Sequence, residues 1–235
     1  MSSRPRAQVY VDGFNLYRGR LKDVPSIRWL DLRALAAKLA AHQNVRAVKY
    51  FTAKVRSQES ARRQNLYLRA LRATAVEVHD DGTFLSHPVI RPLADTARHP
   101  MMAVLEKIDW TTETWHPLAH PCPGETARAS VIDTEEKGSD VNLASYLLRD
   151  VFAGEIDAAI VISGDSDLRT PVAMAVEHGV PVHVLNPTSN RVSQELQTAA
   201  SMYDELPLAY LMTCQLPNPV TDPKGQKVWR PNRWS

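Results

Sequence analysis

Short apolar runs alternate with amphipathic stretches along this chain. The first run, Ala7–Val11 (AQVYV), stops at Asp12-Gly13, which predicts a buried strand that delivers an aspartate at its carboxyl end. A helical segment follows, its apolar positions recurring at Leu30, Leu32, Leu35 and Leu39 with Asp31 near the start. A second strand is predicted over Val45–Ala53 (VRAVKYFTA), completing a βαβ beginning. Gln58–Thr74 is helical by composition. A third strand, Ala75–His79, runs into Asp80-Asp81-Gly82, a turn signal that predicts a hairpin extending to Ile90.

Between His87 and Ala127 the periodicity fades, and six of the 16 prolines fall there, so residues 88–127 read as an irregular insertion, a lid or arm. Order returns with a strand at Ser130–Asp133 and a helix that Ser139 is expected to cap, with Leu143, Leu147 and Val151 stacked at i, i+4 and i+8. Ala158–Ile162 (AAIVI) is a continuous apolar run, the mark of a central parallel strand covered on both faces, and it ends in SGDSD. A helix over Leu168–His178 stops at Gly179, and Pro181–Leu185 reads as the last strand. The fold class is therefore α/β, a central parallel sheet flanked by helices, in one domain over 1–206. Residues 207–235, with five prolines, read as an extended tail.

With 235 residues and 44% hydrophobic content the chain can bury a full core. A net charge of +2 neither demands nor excludes a polyanionic partner. Its distribution says more: Lys54–Arg72 carries six basic residues against Glu59 alone, and Arg62, Arg63 and Arg69 are the expected contacts to a nucleic-acid backbone. Cys122 and Cys214 have no partners at zinc or disulfide-framework spacing, which fits a reducing cytoplasm. The N-terminal apolar run is too short for a signal segment or membrane span, so a cytoplasmic protein without membrane association is expected. The oligomeric state is left open, a homodimer included.

Candidate chemistry lies at the strand ends, where open parallel sheets bind ligands. Asp12 follows VYV, Asp165 and Asp167 follow VISG, and Asp140 sits in the first turn of the helix before that strand. Each alone has an ordinary use as a turn former or helix cap. Together, ionised carboxylates repel one another and call for a cation, and hard oxygen ligands select Mg²⁺ or Mn²⁺. Such ions activate water and offset charge on a phosphate, the need of phosphodiester hydrolysis. Lys137, on the loop entering the helix, is a candidate phosphate contact, and Asn15 and Ser163 are candidate supports for the acids. Glu135 and Glu136 are weaker candidates for an outer shell of ligands.

Other constellations add little. The chain has no GxGxxG or P-loop sequence, which argues against an ordinary nicotinamide, flavin or ATP site. His116, His120 and Cys122 lack a fourth ligand for a soft metal, and Trp110 and Trp115 are as suited to packing the insertion as to stacking on bases.

The set VYVDGFNLY, EEKGSDVNLASYLL and AAIVISGDSDLRTPVAMAVEHGVPVHVL resembles the NYN domain family of PIN-like nucleases, in particular its bacterial LabA-like branch. The resemblance spans roughly Gln8 to Thr198 and is weakest over the insertion. It implies a PIN-like (Rossmannoid) sheet, an Mg²⁺ or Mn²⁺ site held by Asp12, Asp140, Asp165 and Asp167, and RNA as substrate, with products bearing a 5′-phosphate. The expectation is a metal-dependent ribonuclease. Two alternatives stand beside it: a regulatory RNA-binding module with weak or no catalysis, and a metabolic enzyme of pyridine (nicotine) catabolism, a description some proteins resembling this branch carry.

Overall fold

In the computed structural model, which describes residues 4–55, 57–92, 118–119, 128–188 and 192–234, the first apolar run is strand β1 (Arg6–Asp12). It is followed by the short helix α1 (Gly13–Leu16), a π-helical turn over Tyr17–Leu21, a 3₁₀ turn over Pro25–Ile27, and helix α2 (Leu32–Leu39). The single helical segment expected here is thus divided. Asp31 starts α2, its Oδ1 accepting the amide N–H groups of Arg33 and Ala34 at 2.9 Å each.

Strand β2 (Asn44–Lys54) lies parallel to β1, and helix α3 (Gln58–Ala73) leads to strand β3 (Glu77–Pro92). The hairpin turn expected at Asp80-Asp81-Gly82 does not form. β3 continues through it as a bulge, Phe51 pairing with His79 and Ala53 with Gly82, so that the extra residue is absorbed within the ladder. Gly82 is needed there because a Cβ would lie 2.8 Å from Ser139 Oγ.

After strands β4 (Leu118–Ala119) and β5 (Arg128–Lys137) come helix α4 (Ser139–Phe152), strand β6 (Ala158–Ile162), helix α5 (Arg169–Glu177) and strand β7 (Val182–Asn186). Ser139 is the first residue of α4 rather than its cap. Gly138 takes that place at φ 97°, a left-handed conformation that favours glycine. Helix α6 (Gln194–Ala199) and strand β8 (Met202–Glu205) complete a parallel six-stranded sheet in the order β3-β2-β1-β6-β7-β8. β8 is half polar and short (MYDE), and hydropathy gave no sign of it.

Alternation along β1 divides the core. Val9 and Val11 face a layer with Leu35 of α2 and Leu68 and Leu71 of α3, while Tyr10 faces Leu143, Leu147 and Val151 of α4. Each of those fully buried side chains on α4 contributes roughly 1.5–3 kcal/mol of transfer free energy. Inside the second layer Asp150 is fully buried, accepting from the Tyr10 hydroxyl at 2.7 Å and from Lys49 and Arg149. Burial pushes the Asp150 carboxyl up, but those three donors outweigh it and hold it below the ordinary carboxylate range.

Residues beyond Leu206 are not the extended tail their prolines suggested. They fold into helix α7 (Leu208–Thr213), a hairpin of β9 (Val220–Thr221) and β10 (Lys227–Val228), and a final 3₁₀ turn. Leu211, Cys214, Leu216, Val220, Val228 and Trp234 are buried in the first layer. The apolar residues are too widely spaced to show a period, yet α7 packs on α2, the hairpin on α3 and the final turn on the turn at Pro25–Ile27.

Leu85–Glu135 is a compact unit of its own, in which β4 runs antiparallel to β5 with Leu118 opposite Ala129. Most of the expected insertion, and with it Trp110, Trp115, His116, His120 and Cys122, lies outside the described residues. Among the described residues no helix is long and apolar enough to cross a membrane.

Candidate functional site

β1 and β6 are neighbours in register, Val11 opposite Ile162, so Asp12 and Ser163 leave the sheet at the same level. Asp12 is 3% exposed. Its Oδ1 accepts the Asn15 N–H at 2.9 Å, capping α1, and its Oδ2 accepts the Ser163 hydroxyl at 2.9 Å. Ser163 Oγ in turn accepts the Asp165 N–H at 3.1 Å. Asp165 Oδ1 accepts the Asp167 N–H at 3.0 Å and starts the 3₁₀ turn Ser166–Leu168. The Asn15 side chain closes the circuit, its Oδ1 accepting the Gly164 N–H at 3.0 Å.

Asp140, in the first turn of α4, is half-buried. Its carboxyl is raised above the ordinary value, by burial first and then by the charges of Asp165 and Asp167. Three of the four predicted acids therefore act on one another, and the fourth, Asp12, is tied to Asp165 through one hydroxyl. Among the described residues no three Asp, Glu, His or Cys side chains stand close enough to hold a metal ion between them. The donor set itself is all carboxylate and hydroxyl oxygen, which suits a hard divalent cation, and the mutual repulsion at Asp140 is of the sign such an ion relieves.

The basic residues are distributed differently from the expectation. Lys137 is exposed at the end of β5 and Arg62 is exposed on α3. Arg63 pairs with Glu59 at 2.6 Å. Arg69 turns to Asp222 and Gln226 of the C-terminal hairpin, at 3.1 Å each, and Arg72 pairs with Asp80 at 3.0 Å. The local excess of positive charge on α3 is thus partly met by acids distant in sequence, and Arg69 serves to anchor the hairpin. Arg56 lies outside the described residues.

Two features escaped the sequence reading. Asn186 is buried at the end of β7, its Oδ1 accepting the Thr188 N–H at 2.8 Å and resting against Gly164, where a Cβ would come within 2.3 Å of it. The run VHVLN, a third apolar strand ending in a polar residue, carried that signal. The second is a cavity of about 330 Å³ that begins at Gly13, beside Asp12, and is walled largely by aromatic rings.

Residues 118–206 match the family model of the NYN domain. The match takes in Asp140, Asp165 and Asp167 and supports a nuclease-type function. The chain is similar in fold to a solved structure as well: the Vibrio parahaemolyticus protein of unknown function VPA0982 superimposes with a TM-score of 0.50 at 16% identity, covering 88% of this chain and 97% of that one. Among curated proteins, the chain is 28% identical over 267 aligned residues to a Pseudomonas putida protein named 6-hydroxy-3-succinoylpyridine 3-monooxygenase HspA, covering all of this chain and 77% of the relative.

Proposed function

We propose that the chain is a metal-dependent ribonuclease whose site is built on Asp12, Asp140, Asp165 and Asp167. The observation that carries this reading is the meeting of acids at the carboxyl end of the sheet, Asp12 and Asp165 joined through the Ser163 hydroxyl and Asp140 raised by burial first and then by the charges of Asp165 and Asp167. These four acids would hold one or two Mg²⁺ or Mn²⁺ ions, which supply an activated water and offset charge on the scissile phosphate. Ser163 and Asn15 position Asp12 and the loop after β6. Lys137 and Arg62 are exposed and suited to the phosphate backbone, with RNA as the partner. The test is incubation with labelled RNA, single-stranded DNA and duplexes in Mn²⁺, Mg²⁺ or EDTA. The expected result is EDTA-sensitive cleavage of RNA to 5′-phosphate products, abolished in Asp165→Asn. Wild-type cleavage by that variant would remove Asp165 from the site.

The alignment of the whole chain with 77% of the pyridine monooxygenase favours a second reading, hydroxylation of a substituted pyridine. The same preparation, supplied with a reductant, should then consume oxygen and hydroxylate 6-hydroxy-3-succinoylpyridine. Turnover there, with RNA left intact, selects this reading over the nuclease.

A further inference from the structure

The cavity beside Asp12 is lined by six rings: Phe14, Tyr17, Tyr50, Tyr67, Phe84 and Trp234. Its volume of about 330 Å³ falls at the lower end of the ~300–1,000 Å³ typical of small-ligand sites, the size of one ring system rather than an extended chain. The rings do not stack face to face on one another: Phe14 and Phe84 are tilted at 5.6 Å, and Tyr67 stands edge-on to Tyr50 and to Trp234. Side chains packed for stability alone leave few voids larger than a water molecule, so a space of this size between rings has room for a ligand.

The wall also holds a guanidinium. Arg28 Nε donates to the Leu21 carbonyl at 2.9 Å and its second nitrogen to the Lys22 carbonyl, while its Cζ lies 5.7 Å from the centroid of the Tyr17 ring. Both acceptors are neutral, and among the described residues Arg28 makes no ion pair, so its positive charge is fixed in place without being cancelled. Arg63, the other arginine of the wall, is already paired with Glu59. Fixed positive charge at the rim of an aromatic cavity complements a flat ring that carries an anion.

We propose that this cavity binds a planar aromatic ring bearing an anionic group, the ring among the six aromatic side chains and the anion on Arg28. Two sources supply that chemistry: a nucleotide, whose base would stack and whose phosphate would meet Arg28, or a small aromatic carboxylate. The inference does not depend on which reaction the acids support, since Asp12 is outside the cavity wall.

Calorimetric titration of the full chain in EDTA tests it, with uridine and adenosine monophosphates, the two nucleosides, ribose 5-phosphate, nicotinate and benzoate as probes. Ring and anion together should bind at least about tenfold more tightly than ring or anion alone, the scale of one stacked base or one charge-assisted contact. Arg28→Gln should lose the preference for the monophosphate or carboxylate over the neutral ring. Tyr17→Ala, a truncation at a side chain already 41% exposed, should weaken all ring-bearing probes while leaving the fold intact. Asp12→Asn should leave binding unchanged whether or not it abolishes RNA cleavage, which separates this proposal from the nuclease reading. Preference for nucleotides over aromatic carboxylates assigns the cavity to a strand, and the reverse assigns it to a small acid. Ribose 5-phosphate competing as well as a mononucleotide, binding unaffected by both Arg28→Gln and Tyr17→Ala, or no binding by any probe would overturn it.

Discussion

The Ser163 hydroxyl donates to Asp12 Oδ2 at 2.9 Å while its oxygen accepts the Asp165 amide at 3.1 Å, so one side chain spans the ends of two neighbouring strands. Ser163→Ala keeps nearly the same volume and removes both contacts. A group that orients a metal-binding carboxylate typically matters by about 10–100-fold in metal affinity or activity, and a fall of that size in cleavage is expected, together with a higher Mn²⁺ requirement. Mn²⁺ titration of the cleavage rate checks it; an unchanged midpoint would show that Asp12 is positioned without Ser163.

Asp140→Asn should raise the melting temperature near neutral pH in EDTA. The sign follows from the direction of the shift: a carboxyl raised in the folded state favours folding fully below its unfolded value, and that contribution is lost as pH rises through the folded value. Ionised Asp140 is therefore a penalty at neutral pH, and the amide escapes it. Thermal melts at several pH values should show the advantage disappearing as the pH falls below the ordinary value of 3.8, and shrinking when Mn²⁺ is added. A variant less stable than its parent in EDTA at neutral pH would contradict the combined penalty of burial and like charge on Asp140.

Gly164→Ala places a methyl group 2.3 Å from Asn186 Oδ1, a spatial conflict rather than a torsional one. A loss of roughly 1–3 kcal/mol is expected, as for other overpacked interiors. Asn186→Ala on the same chain should restore part of it, because the obstructing atom is gone. A denaturant double-mutant cycle measures the coupling, and additive losses would mean that the two residues do not press on each other.

Arg6 grips Asp157 through its backbone amide at 2.8 Å and its guanidinium at 2.7 Å, and the carboxyl is lowered from 3.8 to about 2, by the side-chain hydrogen bond first. A depressed carboxyl adds stability above its unfolded value that is lost as pH falls through the folded one, here between roughly pH 4 and pH 2. Asp157→Asn should flatten the acid limb of the stability curve in that window and leave it parallel to the parent above pH 5. Added salt should shrink the difference, since the pair is exposed.

Strand β6 was legible because a central parallel strand needs an uninterrupted apolar run, and β1, β2 and β7 because they are short β-rich segments in which apolar residues predominate; so were the aspartates that follow two of them. The bulge at Asp80–Gly82 was not. Asp-Asp-Gly has the composition of a turn, and only Ser139, far along the chain, reveals that its glycine serves close packing. The tail was misread for a related reason: Leu211, Val228 and Trp234 are buried by contacts with α2, α3 and the turn at Pro25–Ile27 that no local period encodes. Counting charge over α3 did not reveal that Asp80 and Asp222 approach Arg72 and Arg69 from outside the window. Of the site, residue types and strand-end positions could be read; the hydroxyl circuit through Ser163 and the aromatic cavity required the third dimension.

Lys49 lies directly opposite Tyr10 in the pairing of β1 with β2, and both reach the same interior carboxylate of Asp150. Sliding one strand past the other by a single residue would turn one donor toward the opposite layer and strand a charge in an apolar interior, at a cost of several kcal/mol. The sheet consequently has one tolerable alignment at its centre. Asp12 stands two residues beyond Tyr10 on the same strand, so the height at which that acid emerges is gauged by an ion pair it never touches.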